Sequence, residues 1–368
     1  MSAFVDLPTA VAVVTGAGSG IGRASAIALA ERGARVVVSD VDGDRARRVA
    51  AEIGDAAVGM PCDVTRLGDL EAARDLALER FGQVDIVMNN VGVLAVGVVE
   101  DIPLEAWVRI GDINLLGIVR SNIVFLPHLL RQRRGHIVNT ASMAGLLPYG
   151  FDRLPYTTTK HAVVGLSESL ALYLRPRGIG VTCLCPAGVT TNIVEQITFY
   201  GSPRTPRAPK LPVSDPTTVG ELVADAIATD RFLVLTAPEA AAELLQRASD
   251  VDGYVFRLAR EGPPRPVQRG NVGVIERYFI RDRQRREITP LGLGQLLQGV
   301  EMRAHLLRRQ RRGSDSADRV PAIAMPGGPA QRGPGVPTDP DRRVGLLHRE
   351  GLAANIAVPV EAAIEAGG

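Results

Sequence analysis

The sequence predicts an α/β protein built on a doubly wound parallel sheet of seven strands, with helices on both faces. From residue 11 onward, short β-branched apolar runs alternate with longer segments of helical periodicity. The runs are nearly continuous rather than alternating, as expected for strands that helices cover on both faces. A glycine-rich turn joins the first run to the first helical segment. Repeated strand–helix units with right-handed crossovers produce this layered sheet.

The predicted strands are separated by segments with the apolar spacing of helices. The first of these segments, IGRASAIALAERG, ends at Gly33, a residue suited to the left-handed position that closes many helices. The alternation predicts one α/β domain over residues 1–260. Its strands are VAVVT (11–15), RVVVS (35–39), a weaker AVGMP (57–61), VDIVMNN (84–90), GHIVNTA (135–141), GVTCLC (180–185) and FLVLT (232–236).

The pattern changes after residue 260. One face of a helical segment within 290–313 is apolar, and the segment ends in a basic cluster, so we expect residues 261–312 to form a basic, partly helical extension. Residues 313–368 begin with a stretch rich in Gly, Pro, Asp and Arg, which predicts a disordered tail. Residues 1–256 contain 23 basic and 28 acidic side chains, whereas residues 257–368 contain 19 arginines and 12 acidic side chains. A basic, largely irregular C-terminal extension therefore follows the α/β domain.

The overall composition is that of a soluble globular protein, with 46% hydrophobic residues and a formal net charge of +2. No apolar run approaches the roughly 18–20 residues of a membrane-spanning helix, and the N-terminus lacks the pattern of a signal peptide. We therefore expect a cytoplasmic protein with no membrane span. The three cysteines are too few for a disulfide framework. Cys183 and Cys185 are expected to point to opposite faces of their strand, so no metal site is predicted.

The turn TGAGSGIG (15–22) lies where the first strand leads into the first helix. Glycines at this place let the backbone approach a pyrophosphate closely, and the amides and dipole of the helix start favour its negative charge. The spacing is TGxxxGxG, with Gly16, Gly20 and Gly22, rather than plain GxGxxG. In its strand–turn–helix context, the motif predicts nucleotide binding.

Asp40 ends the second predicted strand, about 20 residues after the glycine turn. A carboxylate at this place accepts hydrogen bonds from the adenosine ribose hydroxyls and repels a 2′-phosphate, which favours NAD over NADP. Arg23, Arg45 and Arg47 are near in sequence and would weaken that preference. A structural reading stays open, in which Asp40 is a turn residue or helix cap for the segment VDGDR.

The segment YTTTK (156–160) contains one of only two lysines among the 42 basic residues of the chain. Lysine carries a compact charge, whereas arginine presents a wide planar fork. One helical turn separates Tyr156 from Lys160, so both side chains can face one cleft. The ordinary tyrosine pKa of about 10 is too high for a base near neutrality, and a nearby ammonium favours the phenolate. We therefore expect Lys160 to tune Tyr156 for general acid/base work.

Four further motifs accompany the glycine turn and YTTTK, each at a predicted strand or helix end. They are CDV (62–64), NNVG (89–92), INLLG around Asn114 and TASMAG around Ser142. With this ordered set, residues 8–260 resemble the classical short-chain dehydrogenase/reductase family, which has a Rossmann-like fold. The resemblance implies NAD(P)-dependent interconversion of a secondary alcohol and a ketone. It implies a catalytic group of Asn114, Ser142, Tyr156 and Lys160, and a cofactor bound by Gly16, Ser19, Gly20, Ile21, Gly22, Asp40, Asp63, Val64, Asn90, Gly92, Tyr156, Lys160, Pro186, Val189 and Thr191.

The resemblance also gives roles to these side chains. Ser142 would hydrogen-bond the substrate oxygen, and Asn114 would help to hold a water that links Lys160 to solvent. Structural readings stay open: Ser142 as a turn serine, Tyr156 as a packing ring, and Asn114 as a residue that bonds its own backbone. Two positions depart from the family pattern, Val91 for the usual Ala and Ala187 for the usual Gly. Neither departure removes a reacting group.

The substrate is expected to lie against the catalytic group, under a segment at 193–216 whose prolines and glycine suit a loop. We expect a small apolar alcohol or ketone.

The resemblance also implies a homodimer or homotetramer formed through the helices near 113–131 and 156–175. Two rival readings remain: a non-catalytic nucleotide-binding regulatory protein of the same fold, and a tail that binds nucleic acid or an anionic membrane. Little aromatic interleaving in the tail argues against nucleic acid. The expected apolar walls of the substrate site are Leu94, Leu146, Leu147, Pro148 and Tyr149.

Overall fold

The computed structural model describes residues 4–148, 150–191, 196–201 and 211–260. The predictions for residues 261–312 and 313–368 lie outside these residues. The strands, in chain order, are β1 (Val11–Thr15), β2 (Arg35–Asp40), β3 (Ala57–Pro61), β4 (Ile86–Asn89), β5 (Leu94–Val96), β6 (Gly135–Thr140), β7 (Ile179–Cys185), β8 (Gly188–Val189), β9 (Ile197–Phe199), β10 (Val213–Ser214) and β11 (Leu233–Leu235). The α-helices are α1 (Gly20–Glu31), α2 (Gly43–Ile53), α3 (Leu67–Phe81), α4 (Leu104–Gly111), α5 (Gly117–Gln132), α6 (Leu154–Leu174), α7 (Pro216–Ala228), α8 (Ala240–Ser249) and α9 (Val251–Arg260).

Seven strands form one parallel sheet in the order β11-β7-β6-β4-β1-β2-β3. They correspond to the seven predicted strands, so the predicted fold class is confirmed. Val13 of β1 lies between Val37 of β2 and Val87 of β4 in the ladder. The chain builds outward from β1 in one direction to β3 and in the other to β11, and the direction reverses between β1 and β4. In sheets of this kind, ligands bind outside the carboxyl ends of the strands at such a reversal.

Helices cover both faces of the sheet, which explains why its strands are apolar along their whole length. On one face, α1, α2 and α7 enclose a core that includes Leu29, Val49 and Ile227. On the other face, α3, α5 and α6 enclose a second core that includes Phe125 and Leu174. Burying one such side chain contributes about 1.5–3 kcal/mol relative to leaving it exposed. The two cores fix the strand ends that carry the candidate site.

Gly33 closes α1 as its sequence position predicts. Its φ is 92°, in the left-handed region, and its N–H donates to Ala30 O at 2.9 Å. The next N–H, that of Ala34, donates to Leu29 O at 3.1 Å, which completes a Schellman motif. A Cβ at Gly33 would lie 3.0 Å from Pro8 Cα, a tight contact, so both space and conformation favour glycine there.

Two short parallel pairs lie outside the main sheet. β5 pairs with β9, with Leu94 opposite Ile197 and Val96 opposite Phe199. β8 pairs with β10. The segment expected to cover the substrate is therefore attached at two places. Residues 192–195 and 202–210 of that segment lie outside the described residues.

The helical stretch Leu104–Gln132 runs through α4, a five-residue π-helical turn at Asp112–Leu116, and α5. By length and composition alone it is apolar enough to cross a membrane, which the sequence reading did not anticipate. Core helices pass the same test, and here Phe125 and Leu129 are 1% and 0% exposed against the sheet. The α5 part of the stretch thus packs against the sheet.

Cys183 and Cys185 contradict one expectation. Their Sγ atoms are 3.8 Å apart, so both side chains point to the same face of β7. Residues two apart in a strand share a face, and the expectation of opposite faces was wrong for that reason. Both cysteines are buried free thiols. Across the described ranges, no group of three or more His, Cys, Asp or Glu side chains could hold a metal ion.

Candidate active site

The glycine turn forms a tight cradle between β1 and α1. Gly16 and Gly20 have φ values of 63° and 55°, a conformation that side chains other than glycine rarely adopt. A Cβ at Gly22 would lie 2.3 Å from the Gly16 carbonyl oxygen, so the backbone approaches itself too closely for any side chain. Ser19 makes no side-chain cap at the start of α1. The first amides of the helix therefore remain available to an anion.

Asp40 lies at the end of β2, over this turn. Its Oδ2 accepts the N–H of Gly18 at 3.0 Å, and its Oδ1 accepts the N–H of Asp42 at 3.0 Å. The structural role that the sequence left open is therefore present, because the carboxylate holds two turns. Each carboxylate oxygen has a second acceptor position, so Asp40 is still able to accept ribose hydroxyls.

The three arginines near Asp40 in sequence are all ion-paired with carboxylates. The pairs are partly exposed and contribute little to stability. In each pair, however, the carboxylate partly neutralises the positive charge of the arginine. This arrangement limits their ability to offset the charge of Asp40. The pairs are Arg23 with Glu52, Arg45 with Asp42 at 3.2 Å, and Arg47 with Asp44 at 2.6 Å.

Asn90 joins the end of β4 to the glycine turn. Its Nδ2 donates to Gly16 O at 3.2 Å, and its Oδ1 accepts from the Thr140 hydroxyl at 3.3 Å. Gly92 follows two residues later, and a Cβ there would lie 3.3 Å from Lys160 Nζ. These contacts bring the NNVG motif beside both the glycine turn and the predicted catalytic lysine.

Other predicted cofactor residues lie around the same crevice. Thr191 reaches the glycine turn, since its Cβ would be 3.1 Å from a Cβ built on Gly20. Asp63 follows β3, and its Oδ1 accepts both the N–H and the hydroxyl of Thr65, at 2.9 and 2.8 Å. Three further positions are placed as follows: Val64 is buried against Gly117, Val189 lies in the β8–β10 pair, and Pro186 O accepts the N–H of Met143 at 2.8 Å.

Ser142 follows β6 and begins a short 3-10 turn. Its Oγ accepts the N–H of Ala144 at 3.1 Å, so the reading as a turn serine accounts for one of its bonds. The hydroxyl proton is left for another partner. Tyr156, in the first turn of α6, is half-buried near it. Burial raises the pKa of Tyr156, and the hydrogen bond with Ser142 partly offsets that rise.

Lys160 is buried, and its Nζ donates to Thr140 O at 2.7 Å. The same Nζ lies 5.6 Å from the centroid of the Tyr156 ring. Burial lowers the pKa of Lys160 to about 8, and burial raises the pKa of Tyr156. The charge of Arg153 lowers the pKa of Tyr156; Arg153 precedes α6 and is paired with buried Asp152.

Asn114 lies in the π-helical turn with its side chain fully buried. Its Oδ1 accepts the N–H of Val93 at 2.9 Å, and its Nδ2 donates to Val93 O at 3.0 Å and to Thr159 Oγ1 at 3.3 Å. Both amide protons are committed, so the side chain has no donor left for a water. Sequence reasoning missed Thr159 and Arg153, although Thr159 lies three residues after Tyr156 on the same helical face.

Comparisons with known proteins give consistent relatives. Residues 10–199 match a protein family described as short chain dehydrogenase. The chain is 35% identical over 274 residues to 1-deoxy-11-beta-hydroxypentalenate dehydrogenase of Streptomyces exfoliatus, covering 72% of this chain and 94% of the relative. It is 36% identical over 191 residues to cyclohexanol dehydrogenase of Acinetobacter sp. (strain SE19), covering 50% and 75%. A crystal structure of a short chain dehydrogenase/reductase from Burkholderia phymatum in complex with NAD is similar, with 33% identity, a TM-score of 0.62, and coverage of 72% of this chain and 99% of that one.

Proposed function

This chain belongs to the short-chain dehydrogenase family, and on that premise we propose that it interconverts a secondary alcohol and a ketone, with NAD as cofactor and Tyr156 as general acid/base. The observation that carries the proposal is the meeting of Ser142, Tyr156 and Lys160 at one edge of the sheet. Gly92 lies against Lys160 and Asn90 against the glycine turn, so this group adjoins the candidate nucleotide crevice.

The residues of the crevice fit a dinucleotide. The positive φ values and close approach in the glycine turn leave space and amides for a pyrophosphate. Asp40 offers free acceptor positions for ribose hydroxyls and repels a 2′-phosphate, and its neighbouring arginines are ion-paired. These features support NAD rather than NADP. When bound, NAD would supply the hydride acceptor for alcohol oxidation.

Protein side chains accept and return the proton of the substrate hydroxyl. Tyr156 accepts that proton during alcohol oxidation and returns it during ketone reduction. Ser142 donates a hydrogen bond to the substrate oxygen, which polarises a ketone and stabilises an alkoxide. Arg153 favours the phenolate through its charge, and Lys160 adds a second positive charge when it is protonated.

An apolar, alicyclic alcohol is the substrate class that the surroundings favour. Leu94 and Leu146 are partly buried, and Phe199, on the strand β9 that pairs with the strand of Leu94, is 50% exposed. Leu147 was expected to form a wall, but it is 0% exposed in the core, and Tyr149 lies outside the described residues. The two relatives described above are named for alicyclic alcohols, which supports the same class.

Exposed apolar side chains on two helices support assembly into a homodimer or homotetramer. Leu116 and Ile123 are 45% and 60% exposed on the stretch ending in α5, and Leu172 is 81% exposed on α6. We propose a cytoplasmic oligomer formed through these faces. Light scattering of the purified protein at micromolar concentration measures its mass, and a monomer would contradict this part of the proposal.

The function is tested by following NADH formation with NAD+ or NADP+ and a panel of secondary alcohols that begins with cyclohexanol. Tyr156→Phe should abolish turnover while NADH binding persists, because only the phenolic hydroxyl is lost. Tyr173→Phe on the same helix is the matched control and should keep full activity, since Tyr173 is 49% exposed. Full activity of Tyr156→Phe would overturn the mechanism. Silence across the panel with NADH binding intact would favour the non-catalytic nucleotide-binding reading.

A further inference from the structure

The first turn of α6 carries Tyr156, yet it has no side-chain cap. Arg153 precedes the helix and makes no capping hydrogen bond, and Pro155 in this turn has no backbone N–H to donate. Helix ends of this kind fray unless other contacts hold them. A reacting group must nevertheless stay within a fraction of an ångström of its place, since a displacement of about 1 Å can lower a rate by about 100-fold. A further contact, besides the hydrogen bond of its hydroxyl with Ser142, would therefore help to hold Tyr156.

Thr159 provides such a contact. It is buried, its hydroxyl donates to Tyr156 O at 2.9 Å, and its Oγ1 accepts from Asn114 Nδ2 at 3.3 Å. The direction of these bonds is fixed, because a carbonyl oxygen can only accept and an amide NH2 can only donate. Thr159 therefore donates its hydroxyl proton to Tyr156 O, and a lone pair of its Oγ1 accepts from Asn114 Nδ2.

The Asn114 amide is itself held in one orientation. The N–H of Val93 requires Oδ1 on its side at 2.9 Å, which turns Nδ2 toward Val93 O at 3.0 Å and toward Thr159. Val93 directly follows Gly92, where an added Cβ would lie 3.3 Å from Lys160 Nζ. A continuous chain of hydrogen bonds thus joins the loop after β4, the π-helical turn and the backbone of the tyrosine.

We propose that Thr159 is a positioning residue for Tyr156, tying the first turn of α6 through Asn114 to the loop after β4. This inference rests on the proposed function of Tyr156. A threonine hydroxyl often bonds a carbonyl one turn earlier in its own helix, and that bond alone would be local. The bond received from Asn114 is what couples this turn to the cofactor crevice.

Two pairs of variants isolate the hydroxyl. Thr159→Val replaces the hydroxyl of the wild type with a methyl group. Thr159→Ala differs from Thr159→Ser only by the loss of the hydroxyl oxygen. With the best alcohol of the panel, we expect kcat to fall about 10-fold or more across each pair. KM for NAD+ should stay within about twofold, since the residue does not line the crevice. The pH of half-maximal kcat should rise in the hydroxyl-free variants, because a displaced phenol loses the Ser142 hydrogen bond that lowers its pKa.

Circular dichroism and thermal melting establish that each variant is folded, and the Ser/Ala pair serves if Thr159→Val is not. Turnover within about twofold across a folded pair, or equal losses in Thr159→Ser and Thr159→Ala, would refute the positioning role. Tyr156→Phe is measured in parallel. Should Tyr156→Phe stay active, the proposed function is wrong. Should it be inactive while both hydroxyl-free variants turn over normally, only the role of Thr159 is wrong.

Discussion

His136 in β6 should make the fold lose stability as the pH falls below neutrality. Its Nε2 lies 2.8 Å from Thr182 Oγ1, and that hydroxyl donates its own proton to Arg231 O at 2.7 Å. Nε2 must therefore carry the ring proton and donate it to Thr182. Nδ1 is then the unprotonated nitrogen, buried and without a hydrogen-bond partner among the described residues. Adding a proton there places a charge in the core.

The size of the effect follows from the pKa. Burial, with a smaller contribution from Arg175, lowers the pKa of His136 from 6.5 to about 3. The unfolded chain takes up this proton near pH 6.5 and the folded chain only near pH 3, so the stabilisation is complete above pH 6.5 and is lost as the pH falls toward 3. At about 1.36 kcal/mol per pH unit, acidification from pH 7 to pH 5 lowers the free energy of unfolding by about 2 kcal/mol.

Urea unfolding at pH 7, 6 and 5 measures this loss in the wild type and in His136→Gln, whose amide can still donate to Thr182. Asp230 and Arg175 also lie near His136. The pKa of Asp230 is raised by burial, which acts in the opposite sense, and both proteins retain it. We expect the variant to lose about 2 kcal/mol less than the wild type between pH 7 and pH 5. Equal losses in both proteins, or an imidazolium signal from His136 by NMR at pH 5, would contradict this prediction.

Two further changes test the framework of the site. Ser167→Ala removes the acceptor for Asn139 Nδ2, now bonded at 3.0 Å in the core, and should lower the free energy of unfolding by about 1–3 kcal/mol in urea titrations; an unchanged midpoint would contradict this. Gly22→Ala places a Cβ 2.3 Å from a backbone oxygen and should weaken NADH binding at least about 10-fold by fluorescence titration. Gly68→Ala, whose Cβ would meet nothing within 4 Å, is its matched control and should bind normally.

The main sheet could be predicted because burial on both faces leaves a simple mark on the sequence. Strands such as β1 and β3 have the bounds that their apolar runs predicted. The three-residue strands β5 and β9 were not predicted, because so short a segment carries no period and its pairing depends on distant parts of the chain. The error over Cys183 and Cys185 was one of reasoning, since the period of a strand already places both on one face.

The membership of the candidate site stays a prediction, whereas its contacts are seen only in the structure. The order of motifs along the chain indicated Ser142, Tyr156 and Lys160, and their separate roles stay predictions. Two features depend on the tertiary structure. They are the hydrogen bond from Lys160 Nζ to Thr140 O and the effect of Arg153 on the pKa of Tyr156. No local sequence pattern predicts this hydrogen bond or this pKa effect, because side chains are desolvated only when the protein is folded.

The two short strand pairs attach the segment expected to cover the substrate at two places, so this segment and the residues expected to bind the cofactor can each change in sequence without the other. β9 is fastened to β5 and β10 to β8, so the chain between Phe199 and Val213 begins and ends at fixed anchors. Under the proposed function, insertions or deletions between these anchors would alter substrate selection and leave Val189 and the glycine turn in place. On that proposal, related proteins would exchange substrates while they keep their cofactor, and loop grafting between the same anchors is a route to new selectivity.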